Sequence, residues 1–182
     1  MKTMIRVHPY SSLALLLAVL LHSGCGYSLA GRGSFLPDYI QTIGVPQFVN
    51  NTPYYVEQVF TERVRTEFIN RGKYKVLPEA TGVDALLNGQ IMSITIAPAS
   101  FSDQQQASRY IILVTAKIEF RDLKTNKVLW DNPQWQFREE YEASAAVDAL
   151  DPNAFFSQDL NALDRVSTEF AKSVVSAILE AF

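Results

Sequence analysis

Between Arg109 and Asp122 the chain alternates with period two. Tyr110, Ile112, Val114, Ala116, Ile118 and Phe120 fall on one side, and Thr115, Lys117, Glu119 and Arg121 on the other. This predicts a strand with one face in a core and one facing away from it. The polar run LKTNK then turns the chain into Val128–Trp130, a hairpin. Trp135, Phe137 and Tyr141 alternate with Gln136, Arg138 and Glu140, which carries strand character past Pro133. Upstream, Ala85 to Ala97 reads as a long strand with weaker alternation, and Pro98 to Ser108 (PASFSDQQQAS) as a polar loop. Tyr74 to Leu77 is a short strand stopped by Pro78. Tyr39 to Phe48 is β-rich, with Pro46 at an edge or strand end because proline lacks the amide donor.

Two segments have the helical period instead. Val56, Val59, Phe60, Val64 and Phe68 recur at three- and four-residue steps. Thr52 is the expected N-cap, Pro53 the first helical position and Gly72 a left-handed cap. Asp151 and Pro152 open a second helix, expected from about Asn153 to Phe182 with a break near Asn161. Its stripe is Leu163, Val166, Phe170, Val174, Ile178 and Phe182. The order β-α-β-β-β-β-α predicts an α+β two-layer sandwich. Its sheet is mixed and mostly antiparallel, with both amphipathic helices on one face. The helix between the first two strands allows a parallel pair.

The N-terminus obeys neither period. Lys2 and Arg6 precede the apolar run Leu13–Leu21, and small Ser23 and Gly24 precede Cys25. That is the layout of a secretory signal, and the run is too short to span a membrane. A signal ending small-small-Cys resembles a bacterial lipoprotein signal, whose cysteine is acylated and becomes the first mature residue. His22 stands where such signals usually carry an aliphatic residue. Lipidation also accounts for a lone cysteine in an exported chain, where no disulfide partner exists. Several acyl chains together anchor stably, at about 0.8 kcal/mol per buried CH₂. By the same resemblance, Gly26 after the cysteine, where Asp would favour the inner membrane, points to the outer membrane. The expected organisation is residues 1–24 signal peptide, 25–38 lipidated tether, and 39–182 one domain.

Composition narrows the chemistry. The chain has 182 residues, 48% hydrophobic and 19% charged, so disorder along its whole length is not expected. Removing residues 1–24, which hold Lys2 and Arg6 and no acid, leaves 158 residues with formal charge −5. That balance disfavours a non-specific nucleic-acid binder. Both histidines, His8 and His22, lie in the signal. The expected mature chain therefore lacks the imidazole that Ser-His-Asp and Cys-His systems require and the usual zinc ligands. Its Gly-rich stretches match no phosphate or dinucleotide loop. No catalytic residue, metal or cofactor is expected. Carboxylates survive this inventory: Glu139, Glu140, Glu142, Asp148 and Asp151 could suit a hydrolase that pairs two acids. A solvated acidic strand end before a helix is the preferred reading. Asn50-Asn51-Thr52 matches a glycosylation sequon but is read as a helix cap. Trp130, Trp135, Phe137 and Tyr141 are read as core or partner interface before a ligand platform.

Taken in order, certain segments resemble the lipopolysaccharide-assembly lipoprotein (LptE) family. They are Cys25-Gly26-Tyr27, Leu36-Pro37, Ile43–Phe48 (IGVPQF), Asn51-Thr52, the long central strand pair, Lys127–Trp130 (KVLW) and a C-terminal helix ending AILEAF. The resemblance implies a non-enzymatic lipoprotein held by its acyl anchor at the periplasmic side of the outer membrane. It implies a plug inside an LptD-type β-barrel, help in assembling that barrel, and binding of lipopolysaccharide on its way to the outer leaflet. Cations would pair with lipopolysaccharide phosphates; the candidates are Arg109, Lys117, Arg121, Lys124 and Lys127. An ordinary solvated hairpin explains the same residues. Some family members carry a cation in the loop before the long strand, where this chain has Asp103 and none. The competing reading is another envelope lipoprotein acting as a periplasmic binding or scaffold module.

Overall fold

The computed structural model describes residues 36–72, 74–101, 107–142, 155–157 and 160–181. Strands β1 (Thr42–Gly44) and β2 (Val49–Asn50) lead into helix α1 (Glu57–Arg71). Then follow β3 (Lys75–Leu77), β4 (Ala85–Phe101), β5 (Ala107–Asp122), β6 (Lys127–Glu142) and helix α2 (Leu160–Leu179). The sheet order is β3-β1-β4-β5-β6, with β2 beside β4. β1 runs parallel to β3 and β4, as a helical crossover between β1 and β3 permits, and β4-β5-β6 is an antiparallel meander. The expected α+β sandwich with a mixed, mostly antiparallel sheet is the one observed. The two-residue β2 is an addition to the expected order.

Both helices pack on one sheet face. Phe68 of α1 stacks on Phe120 of β5, with centroids 6.2 Å apart. Phe170 of α2 meets Phe60 of α1 edge-on at 5.1 Å and Phe137 of β6 at 5.8 Å. One ring thus joins both helices to the sheet. Tyr110 and Tyr141 pack on Phe155, within helical residues 155–157. The α2 stripe is wider than expected: Ala162, Ala171, Val175 and Leu179 are buried beside Val166, Phe170, Val174 and Ile178. A helix that faces both a sheet and another helix needs the extra width. Leu36, in the stretch expected as tether, is buried in the core. Asp151–Ala154 and Phe182, expected in α2, lie outside the described residues, as do residues 1–35.

β4 explains its own weak alternation. Ala85, Leu87 and Ile91 point inward, the register slips between Ile91 and Ser93, and Ile94 and Ile96 then point inward. The extra residue, Met92, moves the apolar set from odd to even positions. The strand also runs through Pro98 to Phe101, where the sequence predicts a loop. Beyond Ile91 no described strand flanks β4 opposite β5, so a missing amide there breaks no ladder. Pro133 falls in the register shift of β6 between Asn132 and Trp135, where it has no partner on β5 and breaks no ladder.

Helix α1 starts later than expected. Asn50 Oδ1 accepts from the Thr52 amide (2.9 Å) and the Thr52 hydroxyl (2.7 Å), and Asn50 Nδ2 donates to the Tyr54 carbonyl and to Glu57. The Thr52 hydroxyl oxygen accepts from the Tyr54 amide at 3.3 Å, so it serves this turn and not the helix, which begins at Glu57. Val56 occupies the N-cap without a side-chain bond. Gly72, expected in a left-handed cap, is extended, with φ −161°.

Gly89 answers to a close approach. A Cβ there would come within 2.5 Å of the Phe48 ring. Phe48 is held there by its amide donating to Thr61 Oγ1 at 3.0 Å, and Thr61 in turn donates to the Glu57 carbonyl. Gly89→Ala should displace Phe48 and destabilise the fold by about 1–3 kcal/mol, read as a lower urea midpoint with unchanged slope.

Candidate functional site

The sheet face away from the helices carries most of the polar side chains singled out in the sequence. Asn88, Gln90, Lys117, Gln136, Arg138 and Glu140 sit there. Near β2 this face holds a cavity of about 290 Å³, lined by Pro46, Gln47, Asn88, Gln90, Lys117 and Glu119. Amides, a cation and a carboxylate in one shallow depression suit a polar ligand.

The candidate cations do not form one cluster. Arg109 lies opposite Glu142, while Lys117 is eight residues further along β5, ~26 Å away at strand rise. Arg121, Lys124 and Lys127 group around the β5–β6 turn. Arg121 is ion-paired with Glu119 at 2.9 Å and also donates to Asn126, whose φ of 56° makes the turn. Lys124 Nζ stands 4.9 Å over the Tyr39 ring.

Sequence reasoning missed the network that fixes this turn. Asp122, only 1% exposed, accepts from the Tyr39 hydroxyl (2.6 Å), the Thr125 hydroxyl (2.6 Å), and the amides of Lys124 (2.8 Å) and Thr125 (3.2 Å). Burial alone would raise its pKa. The hydrogen bonds together outweigh burial and bring it down to about 2. The same bond holds the Tyr39 phenol above its usual range. Asp84 accepts from the Thr42 hydroxyl and amide and the Gln41 amide, which lower its pKa. The Leu123 amide donates to the Asp84 carbonyl at 2.9 Å. The turn is thus fastened to the start of β1 and β4. The available signal was an inward-facing Asp at the end of an apolar strand face, followed two and three residues later by Lys-Thr.

Each acid of the pair Glu139 and Glu140 is held in an ion pair. Glu139 and Glu140 point to opposite faces of β6. Glu139 pairs with Arg165 of α2 at 2.8 Å and Glu140 with Arg138 at 3.0 Å. Two carboxylates so placed cannot flank one bond. Asp148 and Asp151 lie outside the described residues. Phe137 and Tyr141 are core, and Trp130 and Trp135 are partly buried against it, 5.7 Å apart. No group of metal-ligating side chains occurs among the described residues.

The described residues form a small α+β module whose sheet is covered by helices on one face and carries polar side chains on the other. The family model described as LptE, lipopolysaccharide-assembly, matches residues 40–178, and the chain belongs to that family. Its members are non-enzymatic lipoproteins, and this chain is non-enzymatic on that ground. A comparison with curated proteins found no match. Among solved structures, a hypothetical protein of Chlamydia trachomatis is similar at TM-score 0.50 and 11% identity, over 78% of this chain and 99% of that one. A PelC dodecamer from Paraburkholderia phytofirmans is similar at TM-score 0.50 and 11% identity, over 81% and 92%. The rare lipoprotein B of Shewanella oneidensis reaches TM-score 0.44 at 13% identity, over 77% and 95%. At such identities the likeness concerns the fold alone.

Proposed function

We infer that this lipoprotein is anchored through Cys25 at the periplasmic side of the outer membrane, where it acts with an LptD-type β-barrel. It occupies the barrel lumen, helps the barrel assemble, and takes part in passing lipopolysaccharide to the outer leaflet. The family match over residues 40–178 carries this reading. The physics is compatible with it. A domain with one face sealed by helices and the other polar suits a polar barrel interior. Lys117 beside the cavity, with Arg121, Lys124 and Lys127 at the turn, supplies partners for phosphates, and Arg109 would act separately.

Depletion of the protein should lower both surface lipopolysaccharide and the amount of correctly assembled barrel. Unchanged levels of both would contradict the proposal. Cys25→Ser should leave unprocessed precursor on a gel, and normal processing would remove the anchor from the account.

A further inference from the structure

The cavity beside β2 lies at a gap held open in the sheet. On the side of β4 away from β5, β1 pairs with Ala85 and Leu86 and β2 pairs with Gln90 and Ile91. Leu87 to Gly89 have no register partner there. Strand pairing does not close the gap, because Pro46 has no amide to donate and its connector is fastened to α1 instead. Arg65 donates to the Val45 carbonyl through Nε at 2.9 Å and Nη2 at 2.7 Å, and the Phe48 amide donates to Thr61 Oγ1 at 3.0 Å.

The side chains beside this gap are sorted by charge into two neighbouring rungs of the outer face. In one, Gln90 of β4 stands opposite Lys117 of β5. In the next, Asn88 stands opposite Glu119, and Glu119 stands opposite Asp131 of β6. Two residues of strand separate the rungs, ~7 Å. Neither Lys117 nor Asp131 has an ion-pair partner among the described residues. Arg121 pairs with Glu119, so one guanidinium serves two carboxylates that face each other directly. Like charges so placed are unfavourable, and a further cation relieves them. An anion alone suits the first rung and worsens the second, and a cation alone does the reverse. A zwitterion suits both, and its neutrality spares it repulsion from a chain of formal charge −3.

We propose that this cavity binds a zwitterion of the phosphoethanolamine type. Its phosphate meets Lys117 and the Gln90 amide, and its ammonium meets Glu119, Asp131 and the Asn88 side-chain carbonyl. Both ends then form charge-assisted hydrogen bonds, which are stronger than neutral ones. A volume of about 290 Å³ accommodates a group of this size. The inference goes beyond the reading above and does not rest on it, since a chain with no barrel partner would hold the same ligand.

The test follows the side-chain amide resonances of Asn88 and Gln90 in the full chain, held in a mild detergent that contains no phosphate, as O-phosphoethanolamine is added. Saturable shifts are expected. Inorganic phosphate and ethanolamine each carry half of the ligand and should bind about tenfold more weakly or worse. Lys117→Met and Asp131→Asn should each weaken binding about tenfold, while Lys75→Met on β3 should leave it unchanged. Should a variant fold poorly, the three soluble probes on the unsubstituted chain still decide. Nanodiscs without added ester separate the sources. The same shifts with phosphatidylethanolamine and not with phosphatidylcholine identify a lipid headgroup, and shifts that need the soluble ester identify a free one. No saturable shift, inorganic phosphate binding as tightly as the ester, or binding untouched by either Lys117→Met or Asp131→Asn in a folded variant would each overturn the proposal.

Discussion

Phe170→Ala is expected to cost about 3–5 kcal/mol of folding stability, more than truncation of any other single side chain in the junction between helices and sheet. Phe170 is fully buried and meets Phe60 of one helix and Phe137 of the edge strand. Removing it opens a void where three elements converge and none can close it alone. Marginal domains hold only about 5–15 kcal/mol, so the loss is a large share. Urea unfolding should show a much lower midpoint with the same slope. A loss below about 1 kcal/mol would mean that α2 does not depend on this junction.

Asp122→Ala should be the next most damaging. It leaves the Tyr39 and Thr125 hydroxyls and the Lys124 and Thr125 amides without their acceptor. The expected cost is about 3 kcal/mol, since bonds to a charged acceptor are worth more than neutral ones. The effect also has a pH signature. The folded pKa of about 2 lies below the ordinary 3.8, so the folded protein holds the proton less readily than the unfolded chain. The stabilisation is therefore complete above pH 3.8 and is lost as pH falls through about 2. The stability gap between wild type and Asp122→Ala should narrow across that window. A gap that stays constant in acid would show that the carboxylate charge contributes nothing.

Elements with one face in the core and the other polar along their whole length were readable from sequence. β5 lies between two long strands, so its period two persists through its length and names its inward residues. Phe60, Val64 and Phe68 likewise mark the buried stripe of α1. Features set by several elements at once were not readable. The slip at Met92 reverses the phase of β4 and mimics weak patterning. Pro98 looks like a strand end, yet the margin it occupies has no ladder to break. Thr52 has the chemistry of a cap, but its oxygen accepts from the Tyr54 amide in the turn that precedes the helix. Among the candidate cations, sequence places Arg109 and Lys117 on one face, and strand length then keeps them apart. The Asp122 turn has a local signal, but its reach to Tyr39 and the bond from the Leu123 amide to Asp84 cross separations that no local pattern reveals.

Partnership with a barrel stands at the centre of the functional account. Purification of the native chain from envelopes in mild detergent, followed by mass identification of whatever accompanies it, addresses this most directly. A large outer-membrane β-barrel recovered in stoichiometric amount is the predicted result. Recovery of the chain with no barrel would contradict the account.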